Sequence, residues 1–127
     1  MANSALLLDS NVVVWFDKKS IRLPDWAMNQ IVTAPQVFVS AVTAWELAIK
    51  QSLGSLSLSR PVSHLIQAAG MIELPVTVRH GEAVQSLPFH HRDPFDRLLV
   101  VQAQMEGLVL VTGDRRLALY GIPVVQV

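Results

Sequence analysis

The chain is expected to fold as a three-layer α/β/α sandwich around a central, mainly parallel sheet of four or five strands. Three observations predict this. Short apolar runs with the length and β-branched content of buried strands recur along the 127 residues. Helix-like segments separate them, and alternation of the two in one short chain favours parallel strands covered by helices on both faces. No linker, repeat or low-complexity stretch divides the sequence, so residues 1–127 are read as one domain.

The elements follow in order. "ALLLD" (5–9) is the first strand, and helices are expected at about 11–17 and 24–33. "QVFVS" (36–40) is the second strand, followed by helices at 41–53 and 61–69. "MIEL" (71–74) is a weaker strand, and a helix is placed at 77–87. In "HHRDPFDRLLVVQA" (90–103), Asp93 is a favoured N-cap and Pro94 suits a first helical turn, which starts a helix over 94–106. "LVLVT" (108–112) and the weaker "PVVQV" (123–127) complete the sheet. Gly54, Gly70 and Gly107 stand where helix C-terminal caps are expected.

Composition narrows the function. Apolar residues make up 51% of the chain and charged ones only 16%, enough for a packed core and against disorder. There is no cysteine, which removes disulfides, thiolate chemistry and cysteine-ligated zinc. The start "MANSALLLDSN" lacks a basic region, and no apolar run approaches a membrane span, so a cytoplasmic protein without membrane attachment is the expectation. Ten basic residues balance ten acidic ones. Passive coating of nucleic acid by a basic surface is therefore not indicated, whereas an acidic pocket that takes its positive charge from a metal ion fits this neutrality.

In parallel sheets ligands collect beyond the carboxyl ends of the strands, and acids cluster there. Asp9 ends the first strand, Asp114 follows the strand at 108–112, and Glu46 lies one turn into the helix after the second strand. Asp96 lies in the first turn of the helix before 108–112; a right-handed crossover would bring it to the same edge, although the segment before residue 94 reads as helix and loop and leaves its direction open. Each acid has a quiet alternative: Asp9 and Asp114 as helix caps, Glu46 as an ion pair with Lys50 four residues on. Together they would repel one another unless a cation neutralised them. Oxygen-only ligands favour Mg²⁺, with Mn²⁺ as a substitute, and such an ion supports phosphodiester hydrolysis.

"LLLDSN", "VSAVTAWELAIKQSLGSL", "LPFHHRDPFDRLLVVQA" and "LVTGD" together resemble the PIN-domain ribonucleases, and within them the VapC-type toxins of type II toxin–antitoxin pairs. The likeness runs from about Ala5 to the C-terminus and implies a PIN-like fold. It implies a metal-binding, catalytic quartet of Asp9, Glu46, Asp96 and Asp114, with Ser10 and Thr112 as supporting hydroxyls and Asp93 as helix cap rather than catalyst. It also implies an RNA substrate, cleavage leaving a 5′-phosphate and a 3′-hydroxyl, a homodimer, and a cognate antitoxin that covers the acidic pocket. Two departures stand out: Asn11 where many relatives carry histidine, and Gly113 where a bulkier residue is frequent.

On this reading Asp9, Asp96 and Asp114 hold the ion directly or through water while Glu46 orients or deprotonates the attacking water. Lys50, Arg97, Arg115 and Arg116 lie near the acids in sequence and are read as RNA-backbone contacts or, equally, solvated surface charge. His90 and His91 are ranked as surface or substrate contacts above metal ligands, because neighbouring histidines rarely converge on one ion. Trp15, Trp26 and Trp45 read as core or interface residues. Two rivals remain: a phosphorylatable receiver-like domain, against which the second strand ends in Ser40 rather than aspartate, and a silent binding module whose acids recruit a basic partner.

Overall fold

A computed structural model describes residues 4–127. Five strands, β1 (Leu6–Leu8), β2 (Val37–Ser40), β3 (Ile72–Leu74), β4 (Val109–Thr112) and β5 (Val124–Gln126), form one sheet in the order β3-β2-β1-β4-β5. Every pairing is parallel, with Leu6 opposite Val37 on one side and Val109 on the other. The apolar runs form strands because both of their faces are buried. Leu6, Leu8, Val37, Val39, Val109 and Val111 point into one apolar cluster, and Leu7 and Leu110 into a second. That period of two sorts the sheet's side chains between two helical layers.

The helices are α1 (Ser10–Lys18), α2 (Asp25–Thr33), α3 (Ala41–Ser52), α4 (Val62–Ala68), α5 (Val78–Ala83) and α6 (Pro94–Glu106). One layer is built from α1, α2 and α4, through Val12, Val13, Ala27, Ile31, Val62 and Leu65. The other is built mainly from α6, through Leu99, Val100, Val101 and Ala103. α3 lies between them, giving Leu47 to the first cluster and Val42 to the second. Among the described residues no helix is long and apolar enough to cross a membrane.

One expected helix differs. Residues 77–87 break into α5 and a 3-10 turn at Val84–Ser86. Thr77 caps α5 in a capping box whose third residue is His80 instead of glutamate, with the Thr77 amide donating to His80 Nδ1 at 3.0 Å. Beyond it the carbonyls of Leu87 and Pro88 turn toward the Arg97 guanidinium, and that of Val84 accepts from both Arg97 and the Leu87 amide that closes the 3-10 turn. Gly107 ends α6 at φ 67°, a left-handed position where a Cβ is strained, and leads the chain directly into β4.

The order of strands positions the site. The chain moves outward from β1 to β2 to β3, then returns to place β4 on the other side of β1. The crevice at such a reversal, beyond the carboxyl ends of β1 and β4, is open because successive connections leave it in opposite directions. α6 runs antiparallel to the β4 it feeds, so its first turn stands at that same edge, which resolves the direction of Asp96.

Candidate active site

Four elements deliver the predicted acids to one cleft of about 200 Å³. Asp9 follows β1 and caps α1, its Oδ1 accepting from the Val12 amide at 2.9 Å. Its Oδ2 accepts from the Thr112 hydroxyl at the end of β4, so one aspartate both starts a helix and ties two strand ends together. Glu46, on α3, is buried; its Oε1 accepts from the Ser10 hydroxyl and its Oε2 pairs with Lys50 Nζ at 2.9 Å. Asp96 stands in the first turn of α6 and Asp114 after β4; both line the cleft with Asp93 and Asn11.

The structural and functional readings of Asp9, Glu46 and Asp114 are thus compatible, because each cap or ion pair leaves the side chain facing the cleft. Ser10 and Thr112 support Glu46 and Asp9 as expected, and the Thr112 hydroxyl also accepts from the Asp114 amide at 3.0 Å. Asp93 is the N-cap of α6: its Oδ1 accepts from the amides of Phe95 and Asp96.

Among the basic residues, Arg97 requires a correction. Arg97, expected at the RNA backbone, is buried, and its guanidinium donates to the carbonyls of Pro88 (2.8 Å), Leu87 (3.1 Å), His91 and Val84 (both 3.3 Å). It staples the loop before α6 and cannot reach substrate. Lys50 is spent on Glu46, the ordinary pairing four residues apart. Arg115 is exposed and makes no ion pair among the described residues. Arg116 is the arginine that faces the cleft, gripping Asp114 through Nε (3.0 Å) and Nη2 (2.8 Å).

His90 is exposed and packs edge-on against Tyr120, as a surface residue would. His91 is the residue that sequence reasoning misplaced. It is buried, with Nε2 2.9 Å from Asp114 Oδ2 and 3.2 Å from Asp96 Oδ2. The signal was its position two residues before the Asp93 cap, which lets the Asp93 amide donate back to His91 Nδ1 at 3.0 Å and turn the ring inward. Of the tryptophans, Trp15 packs against the first core cluster, while Trp26 and Trp45 are exposed. Trp15 also accounts for Gly113: a Cβ there would lie 2.9 Å from the indole, which fills the space a larger side chain would need.

Five carboxylates line the cleft, those of Asp9, Glu46, Asp93, Asp96 and Asp114, against two cations, Lys50 and Arg116. The compensation is uneven. Burial, joined by the neighbouring acids, pushes Asp9 up to about 6 despite its hydrogen bonds. Asp96, which accepts no side-chain hydrogen bond within the described residues beyond the close approach of His91, is raised by burial and then by Asp93, Asp9, Glu46 and Asp114 to about 7. Asp114, gripped by Arg116, is lowered to about 2. The carboxylates without a Lys or Arg partner that are pushed up are therefore Asp9 and Asp96, and a hard cation with oxygen preference fits beside them. One atom each from His91, Asp96 and Asp114 also lie within 4.8 Å of one another, close enough to hold an ion.

These shifts predict a pH dependence. An acid whose folded-state pKa is raised keeps its proton in the folded protein after the unfolded chain has released it, so its contribution is present below about pH 4 and is lost as pH rises through the folded value. In chelator, unfolding free energy should fall between about pH 4.5 and 7.5, Asp9 alone contributing roughly 2 kcal/mol. Urea denaturation at the two pH values checks it; a flat or rising profile contradicts the uneven compensation. Asp114 acts oppositely and below this window, losing its contribution as pH falls from about 4 toward 2.

An all-parallel five-stranded sheet with acids gathered at its reversal point is the arrangement expected of a PIN domain, and a PIN domain profile matches residues 6–122. The chain belongs to that family. It is 32% identical over 117 residues to ribonuclease VapC22 of Mycobacterium tuberculosis, covering 90% of each chain. Its fold is that of the VapBC2 complex from Rickettsia felis bound to a promoter DNA fragment (TM-score 0.72, 16% identity, 97% of this chain and 98% of that one). A toxin–antitoxin complex from Klebsiella pneumoniae is similar too (TM-score 0.66, 19% identity, 95% and 96%). The receiver-like reading is set aside: at the end of β2 Ser40 serves as the cap of α3, accepting from the Val42 amide.

Proposed function

We propose that the chain is a metal-dependent endoribonuclease that acts as the toxin of a type II toxin–antitoxin pair. The observation that carries this is the set of four acids from four separate elements facing one cleft, two of them without adequate charge compensation. Kinship with a named ribonuclease over nine-tenths of the chain supports RNA as substrate, and likeness to toxin–antitoxin complexes supports an antitoxin partner.

The roles follow from the hydrogen bonding. Asp96 and Asp9 offer free oxygen lone pairs to Mg²⁺, or Mn²⁺ in its place. Asp114 already accepts two donors on each oxygen and would best serve an ion through a bridging water. Glu46, anchored by Ser10 and Lys50, orients the attacking water or takes its proton. When bound, the ion would acidify that water and stabilise charge on the phosphoryl oxygens. Thr112 keeps Asp9 aimed across the crevice, and Lys50 limits repulsion between Glu46 and the other acids.

The test is cleavage of RNA by purified protein with Mg²⁺, with Mn²⁺ and with chelator, the products mapped for a 5′-phosphate. Cleavage should require the ion and disappear on addition of a purified cognate antitoxin. Ion-independent cleavage would overturn the mechanism, and ion binding without cleavage would favour the silent binding module.

A further inference from the structure

His91 stands among the acids in an arrangement that admits two opposite uses. Its Nε2 could ligate an ion together with Asp96 and Asp114, or it could donate a proton to those carboxylates and leave the ion to oxygen. The other ring nitrogen decides between them. Nδ1 accepts a hydrogen bond from the Asp93 amide at 3.0 Å, so Nδ1 carries a lone pair and no hydrogen. A neutral imidazole has one N–H, which must then sit on Nε2, the atom turned toward the acids. Ligation through Nε2 would move that hydrogen to Nδ1, where it would face the Asp93 N–H donor to donor. The local backbone makes this costly, because the Asp93 amide belongs to the turn that caps α6.

The partners of Nε2 complete the picture. It hydrogen-bonds Asp114 Oδ2 at 2.9 Å, with Asp96 Oδ2 only 3.2 Å away. Asp114 lies on the segment after β4 and Asp96 on the first turn of α6, two elements with no covalent reason to keep their carboxylates in register. The loop that carries His91 is itself fixed, since its carbonyl accepts from Arg97 and its amide donates to the Tyr120 hydroxyl at 3.0 Å.

We propose that His91 is a positioning residue: as the Nε2–H tautomer imposed by the Asp93 amide, it sits between Asp96 and Asp114 and sets their spacing without itself ligating the ion. This rests on the reading of the cleft as a metal site and adds to it the residue that shapes the acid pair. Donors of this kind fix the direction of ligand oxygens, and losing one typically costs 10–100-fold in metal affinity.

Two substitutions separate the ring's two jobs. The amide nitrogen of His91→Gln reaches where Nε2 was and can donate to both carboxylates, but cannot receive the Asp93 N–H. The side-chain oxygen of His91→Asn receives that N–H and falls short of the acids. By titration calorimetry with Mn²⁺ on folded protein, His91→Gln should stay within about threefold of the parent affinity and His91→Asn should lose about tenfold or more. The reverse order would show that His91 only pins the loop, and equal large losses would favour a ligand nitrogen; either result overturns the proposal. Long-range proton–nitrogen NMR of the parent protein provides the second arm. The Nε2–H pattern should be present without metal and persist with saturating Mg²⁺, and its loss on adding Mg²⁺, or an Nδ1–H pattern at the start, would sink the idea. If the parent protein binds neither ion, the metal reading fails, yet the metal-free spectrum still decides which nitrogen carries the proton.

Discussion

Asp96→Asn should abolish metal-dependent RNA cleavage while leaving the protein folded and, in chelator near pH 7.5, more stable than the parent. Both halves come from one fact. Asp96 is the carboxylate with least compensation, raised to about 7 by burial and four neighbouring acids. Asparagine keeps the shape, since the Asp96 backbone amide and not its side chain completes the α6 cap. It removes the repulsion and, with it, the charge that holds the ion. The expected loss in cleavage rate is roughly a thousandfold, about 4 kcal/mol of activation free energy. Single-turnover cleavage and urea unfolding of the same preparation check both halves. Retained cleavage would remove Asp96 from the mechanism, and lower stability would mean that the carboxylate is satisfied in some other way.

Arg97→Ala should be the most damaging change to stability near the site. The guanidinium is buried among four backbone carbonyls, lies 4.1 Å over the Phe89 ring, and has no carboxylate partner among the described residues. Alanine would leave the carbonyls of Leu87 and Pro88 without this donor and weaken the bonding of Val84 and His91, besides opening a cavity, for a total of roughly 3–5 kcal/mol. Arg97→Lys should lose roughly half as much, because an ammonium reaches fewer of these acceptors and lacks the planar fork. Denaturant unfolding measures both; a loss under about 1 kcal/mol for alanine would show that water replaces the guanidinium.

The strands were legible because each is an apolar run buried on both faces, a pattern that survives without tertiary information. "LLL" became the centre of the sheet and "VLVT" its neighbour. The acids were legible for a related reason: a charge that ends an apolar strand must emerge at the strand's carboxyl edge, as Asp9 and Asp114 do. What escaped depended on contacts between loop and helix. Arg97 follows Asp96 on a helix whose Val100 and Val101 are buried, so spacing of three and four residues already pointed it inward. It was taken for surface because arginine is seldom buried without an acid. His91 was judged as half of a histidine pair, when the inward turn of its ring follows from the backbone amide two residues later. The split of 77–87 was equally hidden, since nothing local announces that distant Arg97 takes the carbonyls of Leu87 and Pro88.

The placement of β1 between β2 and β4 bears on how the cell can make such a molecule. A ribosome that has translated through Asp96 has already added three of the four acids to the chain, but neither Asp114 nor the Thr112 hydroxyl that aims Asp9 yet exists. The growing polypeptide is chemically blunt throughout most of its synthesis. The acidic pocket that the proposed activity needs is complete only when the final strands slot against the first, a built-in delay before such chemistry could begin.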